Sequence, residues 1–477
     1  MKLNYKRIIL VGFAFFLIQA FWQAYDNTIP MILTNKFGMS QAWSGAIMAL
    51  DNVLALFMLP LFGAISDKHH SKWGRRTPFI VVGTLIAAVM LIALSFVDNA
   101  QLHHISDVAA IDDPAALETI YDREADETLL TPGGQKFVLS RQFTKEEFTQ
   151  IRSQITVDGA TVTNPDYTNY VMPARQACAW DATAKSPVTL VFFIALLLVI
   201  LVSMSVFRSP AVALMPDVTL KPLRSKANAV INLMGSAGGI LVLVLGMVFA
   251  TSAVRNSLMS YTGYFAVIAA IMLAALVVFM LTVRENEWAA EMQQQSVELG
   301  LEDKEEAATG ERKLSVDEVK SLIFLLLSIV LWFFGYNAVT SKYSVYASNI
   351  LHKDYNLTLI IAQAAAIISY LPVGFIASRV GRKKTILAGV VMLTAAFTTA
   401  SFMSAESPTM LMNAMFALAG IAWATINVNS FPMVVEMCSG GNVGKYTGFY
   451  YTRLHGGAGG HAHALRPADG PHGDARG

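Results

Sequence analysis

Long apolar runs separated by short polar segments dominate the chain. Each run is close to the roughly 20 apolar residues that a helix needs to cross the hydrocarbon core of a bilayer. Alternating segments of about ten residues, which are typical of transmembrane barrels, do not occur. The pattern therefore predicts ten membrane-spanning helices, at residues 8–33, 41–66, 78–98, 187–215, 227–251, 263–283, 320–347, 356–378, 384–404 and 409–434.

Composition supports this interpretation and narrows the class of protein. Of the 477 residues, 54% are hydrophobic and only 14% are charged, whereas soluble domains carry about 25% charged residues. We therefore expect an all-α, multi-pass protein of the cell membrane. The sequence shows no catalytic constellation, phosphate-binding loop or nucleic-acid-binding patch, so we expect no enzyme, no cofactor and no nucleic-acid partner. Adjacent His103 and His104 lack further candidate ligands, so no metal site is expected.

Basic residues are concentrated in the loops that ten alternating spans place on one face. The segment GAISDKHHSKWGRRTPFI at residues 63–80 lies there between two apolar runs. The other basic residues of this face are Lys2, Lys6, Arg7, Lys221, Arg224, Lys226, Arg379, Arg382, Lys383 and Lys384. Lys and Arg collect in cytoplasmic loops, so we expect this face and the N-terminus to be cytoplasmic. The opposite face carries an acidic insertion at 99–186, predicted to be a small outer domain or a partly ordered loop.

Internal repeats reveal the organisation of the chain. The basic segment recurs in shorter form as GFIASRVGRKKTILAG, with an offset of 311 residues from Gly63 to Gly374. MPDVTLKPLRSKANAV and VVEMCSGGNVGKYTGF are related by an offset of 219 residues. The offsets differ by 92 residues, close to the length of the insertion. We therefore predict parallel halves: a six-helix bundle at 1–283, a linker at 284–319 and an incomplete bundle of four helices at 320–452.

The basic segment resembles the loop signature of the major facilitator superfamily. Its matching residues are Gly63, Asp67, Lys68, Gly74, Arg75 and Arg76. Together with RSPAVALMPDVTLKPLRSKANAVINLMGSAGG at 208–239, it is similar to the sucrose/proton symporter-like branch of the glycoside, pentoside and hexuronide cation symporters. The resemblance implies a two-bundle fold with ten of twelve helices present, and sugar uptake coupled to H+ or Na+ by alternating access. Val212 stands where plant sucrose carriers have an arginine, and Arg208 lies one turn earlier.

The basic segment is predicted to act as a conformational latch between the two bundles. Gly63 and Gly74 allow a close helix approach and a tight turn. Asp67 can pair with Arg75 or Arg76 when this face is closed. The alternative is that these charges only orient the chain in the membrane.

A second charge pair is predicted at the end of the fourth span. Asp217 and Arg224 are expected to form it. In the second half Glu436 corresponds to Asp217, but Val443 stands at the position of Arg224. Only the first half is therefore expected to latch in this way. Arg382 of the repeated hairpin completes the candidate latch residues.

Two carboxylates lie within the first two spans. Gln19, Trp22, Gln23 and Asp26 share one face of the first helix by their spacing, and Asp51 lies about ten residues into the second span. Ionisable groups in a membrane usually mark an ion or substrate path. Asp26 and Asp51 are therefore predicted to bind the coupling cation. The alternative places both in an outer aqueous vestibule.

Sugar sites combine aromatic rings with amide and hydroxyl groups, because a pyranose presents a flat C–H face and a ring of hydroxyls. Mid-span residues of suitable types form the predicted substrate set: Gln19, Trp22, Gln23, Arg208, Asn232, Trp332, Tyr336, Asn337, Gln363, Trp423 and Asn427. The alternative for each aromatic residue is a lipid-facing or core position. Arg208 stands out because a guanidinium within the membrane needs a carboxylate or a ligand.

Three functions remain open from the sequence. The leading hypothesis is a symporter for a small sugar, a disaccharide or glycoside, driven by H+ or Na+. Drug or metabolite efflux would be favoured by a largely apolar cavity. A sensor or an inactive truncated fragment would follow from the absence of two helices.

The segment 453–477, RLHGGAGGHAHALRPADGPHGDARG, contains seven Gly, four His and no apolar run, so it is too polar to span a bilayer. The repeat demands two further spans after Lys445. We interpret the segment as the product of a frame shift that replaced helices eleven and twelve. The alternative is a native, His-rich metal-binding tail. A bundle lacking two helices is expected to be unstable or inactive, because inner helix faces lose their partners.

The frame-shift interpretation is tested in the nucleotide sequence. We expect an alternative reading frame after the codon for Thr452 to encode two further hydrophobic spans of about 20 residues each. If neither alternative frame encodes them, the tail is native.

Overall fold

Most of the chain is described by the computed structural model, which covers residues 2–157, 159–251, 253–301, 315–349, 355–404, 406–437 and 442–459. Within these ranges, the side chains of 160, 337, 338, 340–349, 355–357 and 452–459 lie outside the description. In this part of the chain, ten helical segments are long and apolar enough to cross a membrane. They overlap all ten predicted spans and confirm an all-α membrane fold.

Helices form nearly all of the regular structure. In chain order they are α1 (Tyr5–Asn35), α2 (Gln41–Met48), α3 (Leu50–Lys68), α4 (Thr77–His104), α5 (Ser106–Ala109), α6 (Pro114–Glu124), α7 (Leu139–Gln142), α8 (Lys145–Gln150), α9 (Met172–Lys185), α10 (Val188–Asp217), α11 (Arg224–Val248), α12 (Thr262–Thr282), α13 (Glu285–Glu298), α14 (Val316–Asn349), α15 (Tyr355–Val380), α16 (Arg382–Ser401), α17 (Thr409–Glu436) and α18 (Val443–Gly459). Two antiparallel strand pairs lie in the insertion: β1 (Leu129–Leu130) with β2 (Lys136–Phe137), and β3 (Gln154–Val157) with β4 (Ala160–Thr163). Short turns of other helix types lie at Tyr167–Val171, Lys221–Leu223 and Val254–Asn256.

Small residues bring the helices of the first half together. In that half α1 packs on α11 and α12, and α4 packs on α10 and α12. Gly238 of α11 abuts the backbone of Phe16 in α1, where a Cβ would lie 2.5 Å from the Phe16 carbonyl oxygen. Lipid tails are as apolar as leucine, so close packing of this kind replaces the hydrophobic effect in holding membrane helices together.

The two halves meet along two seams. One seam joins α3 of the first half to α18, and the other joins α11 to α15. The partners are related by the repeats, because Gly63 of α3 corresponds to Gly374 of α15, and Lys445 of α18 corresponds to Lys226 of α11. The seams are therefore symmetry-related versions of one contact.

Helix α18 adds to the four spans predicted for residues 320–452. It runs over Val443–Gly459, so the predicted tail at 453–477 begins inside a helix, and it packs on α3, α10 and α14. It is not among the ten segments of the described chain that are long and apolar enough to cross a membrane. Residues 460–477 lie outside the described residues, as do 302–314 of the predicted linker.

The insertion at 99–186 is a small folded domain rather than a loop. Its helices α5, α6, α8 and α9 enclose a separate hydrophobic core. The buried residues of that core include Leu117, Ile120, Phe148, Tyr167 and Cys178. The insertion is therefore folded, and its outer position stays a prediction.

A buried ion pair anchors this end of the first half, beside the outer domain. Lys36 follows α1, and its Nζ donates to Asp98 of α4 at 2.6 and 2.7 Å and to the Met259 carbonyl at 2.7 Å. Both charged side chains are fully buried, and the Lys36 ammonium also lies 4.8 Å from the ring centroid of Tyr261. Gln101 extends the network by donating to the carbonyl of Lys36 at 2.9 Å and to Thr183 of α9 at 3.0 Å.

This pair makes a stability prediction. Replacing Lys36 with methionine leaves the Asp98 carboxylate buried without a cation, which should lower the free energy of unfolding by about 3–5 kcal/mol. The double variant Lys36→Met/Asp98→Leu should recover most of that loss, because no buried charge remains. Denaturant unfolding of the purified protein measures both, and equal stabilities of the single variant and the parent protein would contradict the prediction.

Candidate functional site

Arg76 is the centre of the basic segment. Its side chain is fully buried and bridges two carboxylates, donating to Asp67 at 2.5 Å and to Asp217 at 2.8 Å. A further bond of 2.6 Å reaches the hydroxyl of Ser66. A buried guanidinium is tolerated when carboxylates and hydrogen bonds replace its lost hydration. Arg76 thereby joins the ends of α3 and α10.

Asp67 connects this cluster to the second half. Its two carboxylate oxygens accept the backbone N–H groups of Gly444 and Lys445, each at 2.8 Å. These residues form the first turn of α18, where unsatisfied N–H groups and the helix dipole favour a negative charge. Gly63 makes the approach possible, because a side chain there would collide with the carbonyl of Gly444.

The pairing differs in part from the sequence prediction. Arg76 is the principal partner of Asp67, whereas Arg75 is partly exposed and lies 3.4 Å from Asp217. The predicted pair of Asp217 with Arg224 is wrong. Arg224 donates instead to the carbonyls of Pro216, Thr219 and Val435, because its guanidinium satisfies the end of α10 and the turn that follows it.

The second half has an equivalent pair, contrary to expectation. Arg382, at the start of α16, forms an ion pair with Glu436 at the end of α17. It also donates to Ser225 at 2.5 Å and to the carbonyl of Lys221 at 2.7 Å, both in the first half. Glu436 of α17 thus pairs with Arg382 of the neighbouring helix, in the same way that Asp217 pairs with Arg76 in the first half. Val443 takes no part in this pair.

Sequence reasoning missed Glu285, the first residue of α13. Its buried carboxylate accepts the backbone N–H groups of Arg75, Arg76 and Thr77 at 2.7–2.8 Å, and the hydroxyl of Thr77 at 2.8 Å. Gly74 bends the chain with φ of 115° and leaves room for this carboxylate. The available signal was an acid directly after the sixth span, in RENEW. Glu285 ties the linker helix to the basic segment.

A narrow cleft in the first half brings together three predicted site residues. Trp22, Asp51 and Arg208 line it with Ala55, Leu59, Leu201 and Ser205. Among the described residues, Trp22 Nε1 and Asp51 Oδ1 are buried atoms without a hydrogen-bond partner. The cleft is too narrow for a water molecule in this arrangement, so a solute could use this donor and this acceptor only after the helices move apart.

Arg208 lies between two aromatic rings. Its guanidinium carbon is 5.3 Å from the ring centroid of Trp22 and 5.2 Å from that of Tyr451 in α18. Arg208 shares the cleft with the carboxylate of Asp51. Tyr451 was missed from the sequence, and its ring lies 6.2 Å from that of Phe431 in α17, at an angle of 45°.

The aromatic residues of the second half form a separate cluster. Trp423 lies 5.3 Å from Trp332 and 4.4 Å from Tyr336 between ring centroids. Within the described part of the chain, Trp332 Nε1 is also buried without a hydrogen-bond partner. These rings pack on one another, as expected if they are core residues rather than substrate-binding residues. The N–H of Trp332 is a hydrogen-bond donor that remains available.

The remaining predicted residues are dispersed. Asp26, Gln19 and Gln363 are exposed side chains. Gln23 donates to Asn27 at 3.2 Å, and Asn232 donates to the Asn228 carbonyl of its own helix at 2.7 Å. Asn427 contributes its carbonyl to Asn228 across the seam, and the side chain of Asn337 lies outside the described residues. No group of three or more potential metal ligands occurs within the described ranges.

The profile described as the Major Facilitator Superfamily matches residues 176–460, more than half of the chain. The chain belongs to the Major Facilitator Superfamily. A second profile, described as MFS/sugar transport protein, matches residues 10–103 of this superfamily member.

Curated relatives match a short region. Sucrose transport protein SUC3 of Arabidopsis thaliana is 39% identical over 67 residues, covering 14% of this chain and 11% of that protein. Sucrose transport protein SUC4 of the same plant is 36% identical over 59 residues, covering 12% of each. The matched region thus spans about a tenth of the length of these relatives, and it confirms the resemblance to the sucrose carriers.

Several solved structures share the fold over nearly the whole of this chain. The proton:xylose symporter XylE bound to 6-bromo-6-deoxy-D-glucose has a TM-score of 0.54 at 14% identity, covering 95% of this chain and 86% of that one. A bacterial homologue of the iron transporter ferroportin gives 0.54 at 11% identity, covering 96% and 90%. FucP in the outward conformation gives 0.50 at 13%, covering 96% and 90%. At such identities the likeness shows the fold alone.

The latch is expected to hold the basic face closed. Replacing Arg76 with alanine or Asp67 with asparagine should shift the balance towards a state open at that face by on the order of 1–3 kcal/mol, the size of a hydrogen bond to a charged group. Arg75→Ala should have a smaller effect, because Arg75 is partly exposed and lies farther from Asp217.

A cysteine at buried Ala229, on the α11–α15 seam, reports this balance in a variant without the two native cysteines. We expect faster labelling from the basic side in both latch variants. Unchanged labelling would indicate that these charges only orient the chain in the membrane.

Proposed function

We propose that the chain is a secondary active transporter that takes up a disaccharide or glycoside together with H+ or Na+. The observation that carries this proposal is the cleft in which Trp22 Nε1 and Asp51 Oδ1 lack partners within the described residues. Names of relatives support the substrate class, since two matched proteins are sucrose transport proteins and one structural neighbour is a xylose symporter.

The cleft suggests how a sugar would be bound. The indole ring of Trp22 can pack on the C–H face of a pyranose, and the Trp22 N–H and the Arg208 guanidinium can donate to hydroxyl groups. Trp332 and Trp423 supply a second aromatic surface in the other half. A sugar bound by residues of both halves would favour states in which the halves are close together.

Asp26 and Asp51 provide a means of coupling. Their negative charges attract the guanidinium of Arg208. Binding of H+ or Na+ at one carboxylate weakens that attraction and frees Arg208 to donate to the sugar. Cation and sugar then bind cooperatively, and by linkage each raises the affinity for the other.

Alternating access would operate through the two seams. In our proposal the basic face is cytoplasmic, the N-terminus lies on that side of the cell membrane, and the latch holds this face closed. Opening it requires Asp67 to leave the first turn of α18 and Arg382 to leave Ser225. The two halves would then rock about the central cleft.

The coupling prediction is tested by uptake into vesicles. Asp26→Asn and Asp51→Asn should each reduce the accumulation of labelled disaccharide, under imposed H+ or Na+ gradients, to about the level of the outside solution, because binding no longer depends on the cation. Asp107→Asn is a matched control, since Asp107 is an exposed residue of the outer domain paired with Arg123. Its uptake should equal that of the parent protein.

The same assay separates the proposal from its alternatives. Accumulation against a concentration gradient in both aspartate variants would show that other groups couple transport. Loss of a preloaded apolar drug, without sugar uptake, would identify an efflux carrier. Absence of any transport with normal membrane insertion would support an inactive fragment.

A further inference from the structure

A polar groove opens on the basic face, away from the cleft. Three segments of the first half form it: the residues at the start of α1, the loop after α10, and helix α13. Its volume is about 270 Å³. Its polar lining consists of Lys2, Asn4, Arg7, Thr219, Glu291 and Gln295.

The groove has the chemistry of an anion site. It lies at the N-terminus of the 31-residue helix α1, where backbone N–H groups and the helix dipole favour a negative charge. Lys2 and Arg7 add two cations, against the one carboxylate of Glu291. Arg7 pairs with Glu291 and lies 5.2 Å from the ring centroid of Trp288, so its side chain is held against α13.

A second observation points to a ligand. The side chain of Thr219 lines the groove, and only 3% of this residue is exposed. Its hydroxyl has no hydrogen-bond partner among the described residues. A buried hydroxyl without a partner is unfavourable, and an oxyanion in the groove would accept its hydrogen bond.

The geometry points to a regulatory site for a soluble phosphomonoester in this groove. A phosphate group has three oxygens, which suits donors supplied by Lys2, the start of α1 and Thr219 from different directions. The side-chain oxygen of Asn4 caps α1 by accepting the backbone N–H of Arg7. The NH₂ group of Asn4 and the amide of Gln295 remain for hydroxyl groups on the rest of the molecule. The binding step stands independently of the proposed sugar transport.

The position of the groove suggests an effect on the latch. Thr219 is two residues beyond Asp217, and Glu291 and Gln295 belong to the helix whose first residue, Glu285, holds the backbone of Arg75 to Thr77. A ligand that contacts both segments holds them in the positions they have in the closed basic face. It should therefore stabilise that closed state.

Binding is tested on the purified full chain in phosphatidylcholine nanodiscs, by calorimetric titration with glucose 6-phosphate, inorganic phosphate and glucose. We expect the two phosphates to bind and glucose not to bind. Thr219→Val should weaken phosphate binding by about tenfold or more, the usual effect of losing a hydrogen bond to a charged group. The variant should fold normally, because the hydroxyl has no partner to lose in the free protein.

Thr282→Val is the matched control, because that hydroxyl donates within its own helix to Val278 at 2.6 Å. It should leave the affinity unchanged. Lys2→Gln should lower the affinity and make it less sensitive to salt. In the parent protein, glucose 6-phosphate should also slow hydrogen exchange in α13.

Several results would overturn the assignment. Absence of binding by either phosphate at millimolar concentration would do so, as would binding that Thr219→Val and Lys2→Gln leave unchanged. Nanodiscs containing phosphatidylglycerol distinguish the source of the phosphate. If that lipid alone protects α13 in a Thr219-dependent manner, and soluble phosphates do not, the ligand is a lipid headgroup and the proposal of a soluble ligand is wrong.

Discussion

The buried guanidinium of Arg76 is the constraint on which the closed arrangement depends. It has no access to water, so it must keep both carboxylates and the serine hydroxyl that surround it. Those carboxylates belong to different helices, and one of them, Asp67, is shared with the first turn of α18. Moving α18 therefore takes two N–H bonds from Asp67 and alters the balance of charge around Arg76.

The two seams use the same repeat with different charged side chains. In the α3–α18 seam, a carboxylate contacts a helix N-terminus. In the α11–α15 seam, Ser378 stands at the position of Asp67, and its hydroxyl bonds the carbonyl of Phe375 in its own helix. Arg382 replaces part of that contact by reaching Ser225 and the Lys221 carbonyl. Each seam is thus crossed by hydrogen bonds of one charged side chain to neutral groups, the Asp67 carboxylate in one seam and the Arg382 guanidinium in the other.

Sequence periodicity was sufficient for the ten spans, because a run of about 20 apolar residues has few alternatives in a membrane. Repeats also singled out Gly63, Asp67 and Asp217, although they assigned Asp217 to a separate pair with Arg224. Pairing within the cluster was not predictable, since Arg75 and Arg76 are adjacent and only the turn at Gly74 decides which is buried. Glu285 was missed because its role depends on where α13 packs, which no local pattern encodes. Tyr451 was missed because the polar sequence after it hid the helix in which it lies.

The cleft and the latch are linked by the two helices that contribute to both. Helix α10 carries Arg208 and Asp217, nine residues apart, which is about 13 Å along a helix. Helix α18 carries Tyr451 and Gly444, two turns apart, and Ser209 of α10 donates to the Gly444 carbonyl at 3.2 Å. A solute that draws Arg208 and Tyr451 together or pushes them apart therefore changes the spacing of the same helices whose ends meet at Asp67. Packed helices move as nearly rigid bodies. A solute in the cleft would therefore affect the basic face directly through α10 and α18, with no other element between them.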